Sequence, residues 1–546
     1  MEEKHIPEHR LISPAADLNG LSVCNADPEA IGQWASELPM ANIAAAASHL
    51  RTLVFELSRL RTDYLTRLEL LESIRPTVYY AAARIDRQAQ AGGIRWQASL
   101  DQAQELQRSL AEGYKAVVLG ALPIVADDKS ARESALQSIH RGLSDLAHVW
   151  LRSLRHYLPA EPGLWLDLNQ LCELALSLDC GGHRVRDPEN HNAATTTILQ
   201  AWLRPALLSL ARPNQLRPAE LNQLFNALEQ WSAQVSLQAD PPQALFSVDL
   251  SADHPPTAAR RRGGGRTVFG VQTDVLAYEL EAFLREIPSS VPVPDFITAK
   301  LLRHVATAWS SAQSREHRRM RLSGGVEVGI GLRTASACLA HEMEARRERE
   351  RARENAPEAA TPAPVSSAST HTTSGRDTSP LGYRLTWPDG LPPTAQVGEL
   401  LALREEGAQG WCIGVLRWIG TERGGAAETG VELLSPTAVP VSARVVRTRG
   451  GISGYSKALL LPAIPALQRE ASIITPRMPF QPMQKVQMQR GRSQTNLHLG
   501  PCIAQTENYN QFAFRLLGSY LENGRSPRTM ASLNSRTGVP RPTNDS

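Results

Sequence analysis

Asp377-Thr378-Ser379-Pro380-Leu381-Gly382 runs directly into Tyr383-Arg384-Leu385-Thr386-Trp387, and the reading of this junction decides the fold of the second half of the chain. The D-x-S-x-x-G pattern reads as a turn. Asp and Ser side chains bond back to nearby backbone there, and Gly accepts positions where a side chain would clash. The five residues after it read as a strand. Upstream, Arg315-Glu316-His317-Arg318-Arg319 forms R-x-x-x-R shortly before another alternating run, Val326-Glu327-Val328-Gly329-Ile330-Gly331-Leu332. Both patterns thus sit at the mouths of expected strands.

The residue types point to one chemistry. A guanidinium donates two parallel hydrogen bonds to a phosphate or to guanine O6 and N7, and it also stacks on purine faces. Asp377 suits the N1–H and N2–H₂ edge of guanine. Ser379 suits a phosphate oxygen or braces the turn, and Gly382 allows close backbone approach or a positive φ.

Arg315, Arg319, Asp377, Ser379 and Gly382 together resemble the two-part signature of the PilZ domain, with the basic motif ahead of the first barrel strand and [DN]-x-S-x-x-G leading into a later one. The resemblance implies a six-stranded antiparallel β-barrel over roughly 310–450 that binds cyclic di-GMP and has no catalytic role. Arg318 and Arg321 lie in the same cluster, and the second arginine of the family motif usually falls closer to the strand than Arg319 does. The candidate ligand set is therefore Arg315, Arg318, Arg319, Arg321, Asp377, Ser379 and Gly382. The motifs stand further apart than the family usually allows. An insertion at 335–375 separates them, read as the charge-laced helix Met343–Glu354 followed by a disordered Ala, Pro, Ser and Thr segment at 356–375.

Outward from this pair, period-two runs at Trp411–Trp418, Gly430–Leu434 and Ser442–Arg447 supply further strands for the barrel. Strand-like pieces at Ala458–Leu461, Lys485–Gln489 and Thr495–Leu499 either extend the barrel or form a second small one, a C-terminal β extension at 451–523, and a polar tail occupies 524–546. The front half has helical period. Leu50, Leu53, Val54, Leu57 and Leu60 keep i, i+3, i+4, i+7 spacing, as do Leu136, Ile139, Leu143, Leu146 and Trp150. After a loose leader at 1–28, residues 29–300 therefore read as an α-helical bundle or solenoid. The fold class is α+β multidomain: an α-helical N-terminal region, a PilZ-type barrel and a β extension.

A chain of 546 residues with 42% hydrophobic and 21% charged residues is a multidomain globular protein. A formal net charge of +3 at this length argues against a nucleic-acid coat, so no DNA partner is expected. The basic run Arg260-Arg261-Arg262 reads as a solvated linker, and Arg347 to Arg353 as a solvated helix face. Six scattered cysteines suit reduced thiols in a cytoplasmic setting. The N-terminus lacks the apolar core of a secretion signal, and no stretch is apolar enough for membrane insertion. Cys180-Gly181-Gly182-His183 with His191 offers too few ligands for a metal site. No acid, base and nucleophile combine into an enzyme site, and neither metal nor cofactor is expected. The resemblance further implies a protein partner in a bacterial attachment, pilus or motility machinery, with recruitment to the inner membrane or cell pole through that partner. The alternative is a ligand-independent helical scaffold with a degenerate barrel.

Overall fold

The computed structural model describes residues 11–90, 96–239, 244–259, 268–311, 320–322, 324–355, 369–379, 381–422, 425–446, 453–491 and 493–517. It divides into two compact units: Met1–Arg318 with Trp418–Glu428, and Arg319–Arg417 with Thr429–Ser546.

In the first unit, apolar stripes and caps set the helices. They are α1 (Pro28–Ser36), α2 (Ile43–Arg59), α3 (Tyr64–Gln90), α4 (Trp96–Ala121), α5 (Lys129–Arg155) and α6 (Leu164–Ser177), followed by α7 (Ile198–Leu210) and α8 (Pro218–Trp231). Asp128 caps α5 by accepting from Ser130 and Ala131 backbone N–H, and Thr197 with Gln200 forms a capping box on α7. The expected stripe Leu50, Leu53, Val54 and Leu57 is wholly buried on α2, and Ile139, Leu143 and Leu146 are wholly buried on α5. The region is not purely helical, however. Strands β1 (Arg184–Arg186) and β2 (Thr195–Thr197) form a ribbon. A small sheet of order β3-β6-β4-β5 contains β3 (Ser236–Ala239), β4 (Phe246–Val248), β5 (Thr257–Ala258) and β6 (Phe269–Gln272). These strands are two to four residues long, too short to show a period. Two helices complete the unit, α9 (Asp274–Leu284) and α10 (Ala299–Ser310). The Arg260–Arg266 run lies outside the described residues.

A charged cluster is buried inside this helical unit. Arg75 donates to Asp187 through both terminal nitrogens, at 2.6 and 3.0 Å, and Tyr79 Oη donates to Asp145 Oδ1 at 2.5 Å. Burial pushes the Asp145 carboxyl up to about 7 against the pull of Arg75. Against the same opposition from burial, the Arg75 guanidinium holds Asp187 well below the usual carboxylate range. His140, with 0% exposure, bonds Thr196 Oγ1 through Nε2 at 2.8 Å, and burial drives its pKa down to about 3.

The second unit begins with β7 (Met320–Arg321) and β8 (Gly325–Ile330), then α11 (Gly331–Asn355). Strands β9 (Thr370–Ser379), β10 (Gly382–Trp387), β11 (Leu400–Glu405), β12 (Cys412–Thr421) and β13 (Ala427–Ser435) follow. The sheet order is β10-β13-β12-β11-β8-β9-β7, and β9 pairs back with β10, so six strands form a ring with β7 as an extra piece. A second, closed barrel has the order β14-β15-β16-β19-β18-β17. Its strands are β14 (Val439–Val445), β15 (Ser456–Leu461), β16 (Ser472–Pro476), β17 (Lys485–Arg490), β18 (Ser493–Gln505) and β19 (Tyr509–Leu516).

Three expectations need correction. Ser442–Arg447, read as a strand of the first barrel, falls largely in β14, which pairs with β15 and β17 of the second. The C-terminal part is thus a complete barrel beginning at Val439, ahead of the expected boundary at 451. Residues 370–375, assigned to a disordered segment, are the first half of β9, because Thr370 to Ser374 pair with Gly329 to Gly325. Residues 356–368 lie outside the described residues.

One apolar cluster joins the pieces of this unit. Ala335, Cys338 and Leu339 of α11 meet Leu400, Ala402 and Ile413 of the first barrel and Leu459, Leu461, Ile474 and Tyr509 of the second. β11 is consequently buried on both faces, with Leu400, Leu401, Ala402 and Leu403 each at most 1% exposed. A strand covered on both sides reads as a continuous apolar run rather than an alternation, which is why period two does not reveal it.

Candidate functional site

The site is built by β9, which carries β7 and β8 in succession along one edge and β10 along the other. Against β7, Met320 faces Thr378 and Arg321 faces Asp377. Against β10, Arg384 faces Asp377, Tyr383 faces Thr378 and Gly382 faces Ser379. The register then slips by one, so that Leu385 faces Gly375 and Arg376 is left as the extra residue of a β-bulge. Direct partners in an antiparallel pair project to the same face. Arg321, Asp377 and Arg384 therefore form one row across three strands, and Ser379 with Gly382 forms the next row on that face.

Leu385 and Trp387, at 0% and 3% exposure, mark the inner side of β10, so Arg384 and its row lie on the outer side. The bulge at Arg376 brings this about: without it, strand alternation would carry Asp377 to the face of Thr373, which is buried. On the inner side, Tyr383 Oη donates to Glu405 Oε1 at 2.9 Å. Burial raises the Tyr383 phenol well above its ordinary range, so it stays protonated.

The outer row is electrostatically mixed. Arg384 Nη1 stands 3.9 Å from Asp377 Oδ2, with side-chain exposures of 27% and 17%. Arg321 is exposed. An exposed guanidinium beside a half-buried carboxylate offers a donor fork for a phosphate next to an acceptor for a guanine edge. Ser379 Oγ and Thr378 Oγ1 both reach toward Gly382 O, at 3.5 and 3.4 Å, and brace the turn.

Of the two reasons offered for glycine at 382, the structure selects close approach. A Cβ there would lie 2.0 Å from Val431 O and 3.1 Å from Val431 C, the backbone of β13. No side chain fits where β10 is pressed against β13 at that distance.

Four of the sequence-derived candidates, Arg321, Asp377, Ser379 and Gly382, come together on adjacent strands. Arg315, Arg318 and Arg319 lie outside the described residues. Arg384 is the group that motif reading passed over. Its signal is present in the sequence, two positions after Gly382 and between tyrosine and a core leucine. Only the cross-strand register, however, reveals that it faces Asp377. Among the described residues, no group of histidine, cysteine and carboxylate side chains is arranged to hold a metal. Cys180 Sγ is instead turned onto Ala175 O at 3.2 Å.

Comparison with known proteins supplies three contiguous family matches. Residues 29–243 match the N-terminal domain of the cyclic-di-GMP receptor FimW, residues 245–344 and 334–440 its middle PilZ domain, and residues 441–517 its C-terminal β-barrel domain. The curated cyclic-di-GMP receptor FimW of Pseudomonas aeruginosa is 30% identical, in an alignment covering 94% of this chain and 94% of that protein. No solved structure matches the chain.

Proposed function

The chain belongs to the FimW family of cyclic-di-GMP receptors, and on that premise we propose that it is itself a non-catalytic receptor binding this dinucleotide on the outer rim of the first barrel. The observation that carries the reading is the opposition of Arg321, from the basic cluster around R-x-x-x-R, and Asp377, from D-x-S-x-x-G. Arg321 and the cluster residues Arg315, Arg318 and Arg319 take the phosphates and a purine face. Asp377 accepts from a guanine edge, Ser379 supports the turn, and Gly382 keeps β10 close to β13. The ligand's negative charge neutralises the arginine cluster, and the bound state is passed to a protein partner that controls surface attachment, pili or motility.

No helix among the described residues is long and apolar enough to cross a membrane. In this reading the receptor works in the cytoplasm and reaches the inner membrane or cell pole through its partner. Calorimetric titration of the full chain with cyclic di-GMP tests the proposal, and saturable heat is expected. A flat titration of protein whose circular dichroism shows it folded would end it, leaving a ligand-independent helical scaffold.

A further inference from the structure

The helix α9 carries an apolar surface for which the fold of its own unit has no use. Its inner side is ordinary: Leu276, Ala277 and Leu280 are at most 2% exposed and join the main core. Its outer side is not, since Val275 is 51% exposed and Tyr278 is 69% exposed. At 100° per residue these two lie side by side, with Ala282 continuing the line one turn further.

The C-terminus of the helix extends this line. Glu286 takes a left-handed φ of 59°, its N–H bonds Phe283 O at 3.0 Å, and Ile287 N–H bonds Ala282 O at 2.9 Å. This is the Schellman arrangement, which folds the residue after the turn back onto the last helical turn. It lays Ile287, 51% exposed, over Ala282. Single exposed apolar side chains are normal, but three large ones aligned along one helix face and its cap form a stripe, which marks an interaction surface.

The rim of the patch decides what covers it. Asp274, Glu279, Glu281 and Glu286 surround it, and the only cation within 274–287 is Arg285, which Glu281 engages at 3.3 Å. Glu279 Oε2 accepts from Ser290 N–H at 2.7 Å, so this carboxylate is fixed at the edge. An acid-rimmed apolar stripe repels an anionic bilayer and attracts a cationic surface of matching apolar pattern.

We propose that the Val275–Tyr278–Ile287 stripe of α9 is the docking surface for a basic amphipathic helix of a partner protein. The apolar positions of that helix would cover Tyr278 and its neighbours, while its lysines or arginines would meet Asp274, Glu281 and Glu286. The stripe and the barrel rim are made of different residues, so docking and nucleotide binding are tested by different substitutions.

The test uses the full chain and two synthetic helices, one with a leucine face flanked by lysines, the other with glutamates in place of the lysines. Fluorescence anisotropy should show saturable binding of the lysine helix, weakened by salt, and none of the glutamate helix. Tyr278→Ala should weaken the lysine helix at least about tenfold, as truncation of a central aromatic anchor does. Glu281→Lys should weaken it as well, while cyclic di-GMP titration of both variants matches the parent. Equal binding of the two helices, or indifference to Tyr278→Ala, overturns the proposal. So does a self-associated dimer that Tyr278→Ala dissociates, which would make a second copy the occupant. Retention on anionic vesicles that depends on Tyr278 would overturn it in favour of a lipid surface.

Discussion

Arg321 and Asp377 are direct cross-strand partners, and Asp377 has a second arginine, Arg384, as its partner on the opposite edge of the same strand. In the proposed receptor these three residues share one row of a sheet face and would meet the ligand together. Arg321→Ala and Asp377→Ala should each weaken cyclic di-GMP binding about tenfold to a hundredfold, the ~1.5–3 kcal/mol typical of a lost charged hydrogen bond. Titration calorimetry measures this. Unchanged affinity in both variants would remove the rim from the binding site.

Arg384 extends the same prediction to a residue outside the family motif. Its contact with Asp377 is long and partly solvated, so Arg384→Ala should cost less than about 1 kcal/mol of stability. The effect on ligand affinity should approach that of Arg321→Ala. Because the two arginines flank one carboxylate, the double variant should lose less than the sum of the singles. Strict additivity in that double-mutant cycle would argue for independent roles.

Gly382 and Gly375 should respond differently to alanine. The new Cβ at 382 meets Val431 carbonyl oxygen at 2.0 Å, and a backbone atom inside a sheet cannot yield. Gly382→Ala should therefore disrupt the barrel, with a loss above about 4 kcal/mol or failure to fold. At 375 the nearest atoms belong to the Leu322 side chain, Cδ2 at 2.4 Å, which can change rotamer. Gly375→Ala should cost about 1–3 kcal/mol. Denaturant unfolding of the two variants gives the comparison.

His140 makes the helical unit sensitive to acid. Its folded pKa of about 3 lies below the unfolded value of about 6.5, so only the unfolded chain takes up a proton as pH falls between those values. Stability from this group is fully present above about pH 6.5 and declines by about 1.4 kcal/mol per pH unit below it. Asp145 acts in the opposite sense: its raised pKa of about 7 contributes stability that is lost as pH rises through that value. Subtracting a His140→Gln variant from the parent removes the Asp145 part. Between pH 6 and pH 5 the stability of the parent should fall relative to that of the variant by about 1 kcal/mol in urea titrations. Equal slopes would refute a neutral buried histidine.

Much of this was legible in the chain. The α2 and α5 stripes, the strands at Val326, Tyr383 and Gly430, and the turn chemistry of Asp377 and Ser379 are local patterns, and local hydrogen bonding and side-chain period decide them. What was not legible shares a different physics. β11 hides its alternation because α11 covers its second face. Residues 370–375 have a polar composition that reads as disorder, yet they are held by pairing with Gly325 to Gly329, more than forty residues earlier. β14 looks like any other short strand, and nothing near it states which barrel its edges will join.

Sequence alone determined the residue chemistry, the helical front and the strand-rich back, because each follows from neighbours a few positions apart. Tertiary structure alone decided that Arg321 and Arg384 flank Asp377, that a bulge at Arg376 turns this row outward, and that Val431 excludes any side chain at 382. These facts depend on strand register between distant segments. A slip of one residue moves every side chain to the other face, and no local pattern can specify that choice.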